Sequence, residues 1–165
     1  MQELIALLKA KNLTIGSCES FTAGLFCASL ASVSGASAVL KGGVVTYATC
    51  IKTDVVHVDK NIVDTYGVIS KECAIEMAKK AQQLLDVDIC VSFTGNAGPS
   101  AMEGKPAGEV YCAIADHDDV IAYQLQFRKN EIKCVKKRCV SCAKSFANAY
   151  HNKHFRKDDN GRTYG

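Results

Sequence analysis

The stretch SKECAIEMAKKAQQLLDVDICVSF, residues 70–93, decides the fold class. Ser70 is a residue type that caps helix starts by offering its hydroxyl to a free N–H, and residues 71–85 carry Ile75, Ala78, Ala81, Leu84 and Leu85 at helical spacing. After Asp86-Val-Asp88, the run Ile89-Cys-Val-Ser-Phe93 is apolar and of strand length. A long amphipathic helix feeding a buried strand is the building unit of an α/β domain.

Working outward gives the same alternation. Towards the N-terminus, Leu4, Ile5, Leu7 and Leu8 make a short helical face, Leu13-Thr-Ile-Gly-Ser17 predicts a strand, and Glu19-Ser20 a polar turn. Residues 22–30 predict a helix, Ser34-Gly35 a break, and Gly43-Val-Val-Thr-Tyr47 a β-branched strand. Towards the C-terminus, Val110-Tyr-Cys-Ala-Ile114 and residues 121–127 are two further strands. Only Asp116-His-Asp-Asp119 separates them, too short for a crossover helix, so they form an antiparallel pair and the sheet is mixed, though mostly parallel. A final helix from about Asn130 aligns Ile132, Val135, Cys139, Cys142 and Phe146, followed by a polar tail over 151–165. Helices before, between and after the strands imply a three-layer α/β/α sandwich, a single domain over residues 1–150.

Composition sets the outer bounds. The 165 residues are 48% hydrophobic and 22% charged with two prolines, which fits one globular core and excludes a disordered or collagen-like chain. A net charge of +3 makes no case for a nucleic-acid or membrane surface. The start MQELIALLKAKN reads as an amphipathic helix without the flanks of a signal peptide, so a cytoplasmic protein is expected. Nine cysteines, many inside apolar runs, read as buried small hydrophobes and not as a disulfide framework.

Three motifs fall short. Gly98 to Lys105 has five residues between its glycines where a P-loop needs four, and Pro106 stands where magnesium would need Ser or Thr. Ser141-x-x-Lys144 lacks the companion motifs of Ser-Lys acylases. Cys139, Cys142, His151 and His154 are spaced too closely for a classical zinc finger, and Cys139 and Cys142 also lie on the apolar stripe of the last helix, where packing needs no metal, so no metal and no cofactor are expected.

Three segments carry candidate chemistry. Ser20 lies where a strand gives way to a helix, a position that suits a nucleophile whose oxyanion would meet the N–H groups at the helix start near Thr22, although position alone favours the plainer role of an N-cap. Tyr47 ends a strand and Lys52 follows five residues later, so both can turn to one cleft. Lys52 becomes a base if burial and neighbouring positive charge depress its pKa, and otherwise both are ordinary surface or strand residues. Thr94-Gly-Asn-Ala-Gly-Pro99, continuing to Lys105 and Gly108, is a glycine-rich loop whose N–H groups can approach an anion.

Taken together these segments resemble the CinA C-terminal-like family, whose characterised activity is nicotinamide mononucleotide deamidation by a serine amidohydrolase. CESFTAG (18–24) is similar to the family's A-E-S-C-T-G-G, GASA (35–38) and KGGVVTY (41–47) to G-S-S-A and G-G-V-V-x-Y, and Lys52 stands at the lysine of N-E-x-K. YGVIS (66–70), TGNAGP (94–99) and GKPAG (104–108) resemble H-G-A-V-S, T-G-I-A-G-P and K-P-x-G. The resemblance covers residues 13 to about 127. It implies Ser20 as nucleophile, Lys52 as general base and Tyr47 near the proton path, with Thr22, Ser37, Thr94, Gly95, Asn96, Gly98 and Lys105 around a pyridine nucleotide. It also implies a homo-oligomer, and a chain without the additional N-terminal domain of longer members. Phe21, Ala23 and Asn96 depart from the family pattern, and Glu131 stands at its phosphate-side arginine, leaving Arg128, Lys129 or Lys133 to meet a phosphate. The alternative function is a catalytically silent nucleotide-binding or sensor protein of the same fold.

Overall fold

The computed structural model describes residues 1–127. Along the chain run α1 (Gln2–Lys11), β1 (Ile15–Glu19), α2 (Leu25–Ala31), β2 (Leu40–Val45), α3 (Thr49–Asp54), α4 (Lys60–Tyr66), α5 (Lys71–Leu85), β3 (Ile89–Gly95), β4 (Glu109–Ala115) and β5 (Val120–Gln126). The strands form one sheet in the order β2-β1-β3-β4-β5. β1 is parallel to β2 and to β3, whereas β4 is antiparallel to both β3 and β5, so four of the five strands share a direction. The expected Asp116–Asp119 hairpin is present, its turn held by the Asp118 and Asp119 N–H groups on Asp116 Oδ1.

Strand alternation divides the core between the two faces of the sheet. Ile15, Val91, Phe93, Val110, Cys112 and Ile114 pack with α1 and α2 on one face, while Cys18, Cys90, Tyr111, Ala113 and Ala115 pack with α5 on the other. This is the α/β/α arrangement. The helix of residues 71–85 falls where its periodicity puts it, with the Cys73 N–H donating to Ser70 Oγ at 3.1 Å. Its buried face is rotated from the expected one: Cys73, Ala74, Met77, Ala78 and Ala81 are inside and Leu84 is exposed, because small side chains let the helix lie close on the sheet.

Two boundaries differ from the sequence reading. The helix expected from residue 22 begins at Leu25, because Ala23 and Gly24 take left-handed φ angles of 53° and 90°. The strand expected to reach Tyr47 ends at Val45, and α3 and α4, which hydrophobic periodicity did not announce, occupy the connection to α5. The final helix, the polar tail, Arg128, the Cys139 to His154 group and Glu131 lie outside the described residues.

The strand order decides where a ligand can sit. From β1 the chain crosses through α2 to β2 on one side, and from β2 it returns through α3 to α5 to β3 on the other side of β1. The chain therefore leaves the carboxyl ends of β1 and β3 in opposite directions, towards β2 and β4, and the crevice at such a reversal is where open α/β sheets hold their ligands.

Candidate functional site

A cavity of about 530 Å³ opens at that crevice, a volume suited to a small molecule. Ser20 directly follows β1, and its N–H donates to the Phe93 carbonyl of β3 at 2.9 Å, which fixes the turn against the sheet. Lys52 comes from α3 and is 1% exposed. Its Nζ lies 3.1 Å from Ser20 Oγ and donates to the Thr46 carbonyl at 2.6 Å. A serine hydroxyl and a buried amine at this distance form the pair needed to move a proton off the nucleophile.

Burial pushes the Lys52 amine below the usual lysine range, since an ammonium ion there has lost its water. Among the described residues no neighbouring positive charge assists, whereas one was expected beside burial: the groups there that reach Lys52 are Cys73, Cys18 and Glu103, and each acts to raise its pKa. Burial in turn pushes the Cys73 and Cys18 thiols up to about 11 and about 12, so both are neutral at pH 7.

The remaining expected residues divide. Thr94, Gly95, Asn96, Gly98 and Tyr47 line the cavity with Ser20 and Lys52. Thr94 Oγ1 donates to the Val68 carbonyl at 2.5 Å, tying β3 to the segment before α5. The Asn96 amide is fully engaged within its own loop: Nδ2 donates to the Ser100 and Lys105 carbonyls and Oδ1 accepts from the Gly98 N–H. Asn96 therefore shapes the loop. Tyr47 is 72% exposed at the mouth, and among the described residues it makes no hydrogen bond to Ser20 or Lys52.

Three residues stand apart. Lys105 pairs with the Glu109 carboxylate at 3.5 Å outside the cavity lining. Ser37 is exposed in the 3-10 turn Ala36–Ala38 that precedes β2, at the opposite end of that strand from Ser20. Thr22 is buried beside Ser20 without lining the cavity, and its Oγ1 is the buried side-chain atom without a hydrogen-bond partner among the described residues.

Glu19, which sequence reasoning passed over as part of a polar turn, corrects the expected oxyanion site. Its carboxylate, 1% exposed, accepts from the Phe26 and Cys27 N–H groups at 3.0 and 2.9 Å and from Ser17 Oγ at 3.0 Å. The donors at the start of α2 are thereby taken. The N–H groups of Phe21 and Thr22, in the turn just after the nucleophile, have no partner among the described residues and are the donors left. Glu103 was also missed; an acid in a glycine-rich loop is the faint signal it left. No group of three or more metal-ligating side chains occurs among the described residues, and none of their helices is long and apolar enough to cross a membrane.

The CinA C-terminal domain model matches residues 1–150. A competence-damage inducible protein of Geobacillus sp. is 39% identical over 154 residues, covering 90% of this chain and 37% of its own length. One of Listeria welshimeri is 42% identical over 114 residues, 69% of this chain and 28% of its own. The chain thus spans well under half the length of these curated relatives. Among solved structures, a CinA superfamily protein from Klebsiella pneumoniae aligns with a TM-score of 0.86 at 26% identity, covering 90% of this chain and 92% of that one. The competence/damage inducible protein CihA from Agrobacterium tumefaciens aligns at 0.84 and 28%, covering 89% and 90%. With the family model covering nearly the whole sequence and the Ser20 and Lys52 segments both inside the match, this chain belongs to the CinA C-terminal domain family.

Proposed function

We propose that this chain is a serine amidohydrolase that cleaves the carboxamide of nicotinamide mononucleotide to nicotinate mononucleotide and ammonia. The observation that carries the reading is the 3.1 Å approach of the buried Lys52 amine to Ser20 Oγ at the floor of a ligand-sized cavity. In its neutral form Lys52 accepts the Ser20 proton while Oγ bonds to the carboxamide carbon, and the Thr46 carbonyl keeps Nζ in place by accepting one of its hydrogens. The oxyanion meets the Phe21 and Thr22 N–H groups, a contribution worth on the order of 100-fold in turnover for a single donor. Collapse breaks the C–N bond, and the Lys52 ammonium returns the proton to the departing ammonia. Water, activated by the same amine, then opens the seryl ester to the acid. The scheme draws on no metal or cofactor.

Ammonia release from nicotinamide mononucleotide tests it. Wild type should turn over and Ser20→Ala should fall by about 1,000-fold or more, as loss of a covalent nucleophile does. Equal rates would remove Ser20 from the chemistry. Ligand-induced stabilisation of the wild type with no ammonia formed would assign the chain to silent nucleotide binding instead.

A further inference from the structure

Among the described residues lining the cavity there is one carboxylate, Glu103, and one amine, Lys52. Glu103 sits at the tip of a tight turn in which Met102 and Lys105 exchange N–H to carbonyl hydrogen bonds of 3.1 and 2.9 Å. Its Oε2 accepts from the Ile69 N–H at 3.2 Å, which anchors the turn across the cavity to the segment before α5. Gly67 makes that approach possible, since a Cβ there would fall 2.6 Å from Oε2. Oε1 has no hydrogen-bond partner among the described residues. Phe21, Tyr47 and Met102 supply apolar wall to the same cavity, and Tyr47, Met102 and Glu103 are exposed. A carboxyl group in a pocket that also has aromatic and thioether walls is the chemistry that recognises a flat organic cation.

We propose that Glu103 is the specificity-determining residue of this cavity and selects carboxamides borne on a pyridinium-type cation over neutral aromatic carboxamides. The inference deepens the amidase reading and rests on it for the identity of the reacting group. In this assignment the ring charge meets the Glu103 carboxylate while the carboxamide is presented to Ser20 in the same cavity. The charge arrangement agrees. Glu103 is, after Cys73 and Cys18, one of the groups that act to raise the Lys52 pKa, and a cation bound against Glu103 offsets its influence, so the correct substrate favours the neutral base that attack requires. Hydrolysis turns the carboxamide into a carboxylate, which the anionic turn repels, favouring release of product.

The probes are the 1-methylnicotinamide cation and neutral nicotinamide, which share ring and carboxamide and differ in charge. Their affinities are measured by titration calorimetry on Ser20→Ala, so that binding is read without turnover. The cation should bind about 10-fold more tightly, a factor within reach of a carboxylate combined with an aromatic face, and adding Glu103→Gln should bring the two within about 2-fold. Gln keeps an oxygen for the Ile69 N–H, so the turn should hold. Glu103→Asp, which keeps the charge on a shorter arm, should retain most of the preference. A cation preference unchanged in Glu103→Gln, an equal loss for both probes, or no measurable cation binding overturns the proposal. Ammonia release by the wild type reports separately: cation preference without ammonia sinks the amidase reading and leaves the selectivity assignment standing.

Discussion

Lys52 places reactivity and stability in opposition at one atom. Its folded-state pKa lies below the ordinary 10.5, so between the two values the unfolded chain binds more protons than the folded one. Stability therefore rises with pH across that window and is lowest below the folded-state value, where an ammonium ion must be kept out of water. Lys52→Met, which keeps the length and removes the charge, should abolish turnover and yet raise stability by ~1 kcal/mol at pH 7, read as a shift of the urea midpoint. An activity-dead variant that also melts earlier would show that the Nζ hydrogen bonds outweigh the desolvation. Acylation, which needs the neutral amine, should rise with pH through a value below 10.5 in wild type and stay near zero across the range in Lys52→Arg, because guanidinium holds its proton. Ala23 is a second residue in tension with its backbone. It stands where the resembling family has glycine, it is exposed, and its φ is 53°. Ala23→Gly should stabilise by ~1 kcal/mol by relieving the left-handed conformation, measured by the same denaturation.

At the scale of elements, α2 shows how a buried acid organises a site it never touches. Glu19 lies on the last position of β1 with its carboxylate under the N-terminus of α2, so the residue beside the nucleophile also fixes the helix that follows. Glu19→Ala strands the buried Phe26 N–H, the part-buried Cys27 N–H and the Ser17 hydroxyl, and should destabilise by about 2–3 kcal/mol in urea unfolding, more than an exposed cap would. The α5 cap and the strands were legible because each rests on local rules: Ser70 before an amphipathic run, β-branched and apolar runs in β3 to β5, a four-residue acidic hairpin. Read by themselves the Ser20, Lys52 and Thr94 segments were separate suggestions, and only the family resemblance joined them at one site, since their meeting depends on strand order. Glu19 and Glu103 were not legible, because their partners are backbone N–H groups 7 and 34 positions away, and backbone donors leave no mark in a sequence. Asn96 illustrates the converse, a polar residue in a glycine-rich loop that reads as a ligand contact and serves to hold the loop. Asn96→Ala should raise KM and the rate of proteolytic nicking within residues 97–105 while shifting the global melting point little.

At the scale of the whole molecule, the cavity exists because the chain leaves the carboxyl ends of β1 and β3 in opposite directions, towards β2 and β4, so the nucleophile turn depends on how closely the layers lie. Gly43 on β2 is opposite Ser17 on β1, and a Cβ at Gly43 would lie 2.4 Å from Ser17 Oγ and 3.3 Å from Cys27 Cβ. Ser17 Oγ is the same atom that donates to Glu19, and Cys27 belongs to the first turn of α2, whose N–H Glu19 holds. A methyl group at position 43 must therefore either push the Ser17 hydroxyl off the carboxylate or lift α2 from the sheet. Gly43→Ala should destabilise by ~1–3 kcal/mol, the usual range for overpacking a close-packed contact. If Glu19 transmits the layer contact to the nucleophile, kcat should fall further than the fraction unfolded explains, with the pH dependence of acylation unmoved because Lys52 is approached from α3 on another part of the site. Adding Ser17→Ala to Gly43→Ala provides the control: it makes room for the methyl group and should recover part of the stability while leaving kcat low, since Glu19 still lacks its hydroxyl partner. Full recovery of kcat in that double variant would mean that the layers meet at Gly43 for packing alone and that the nucleophile turn is positioned by its Phe93 contact.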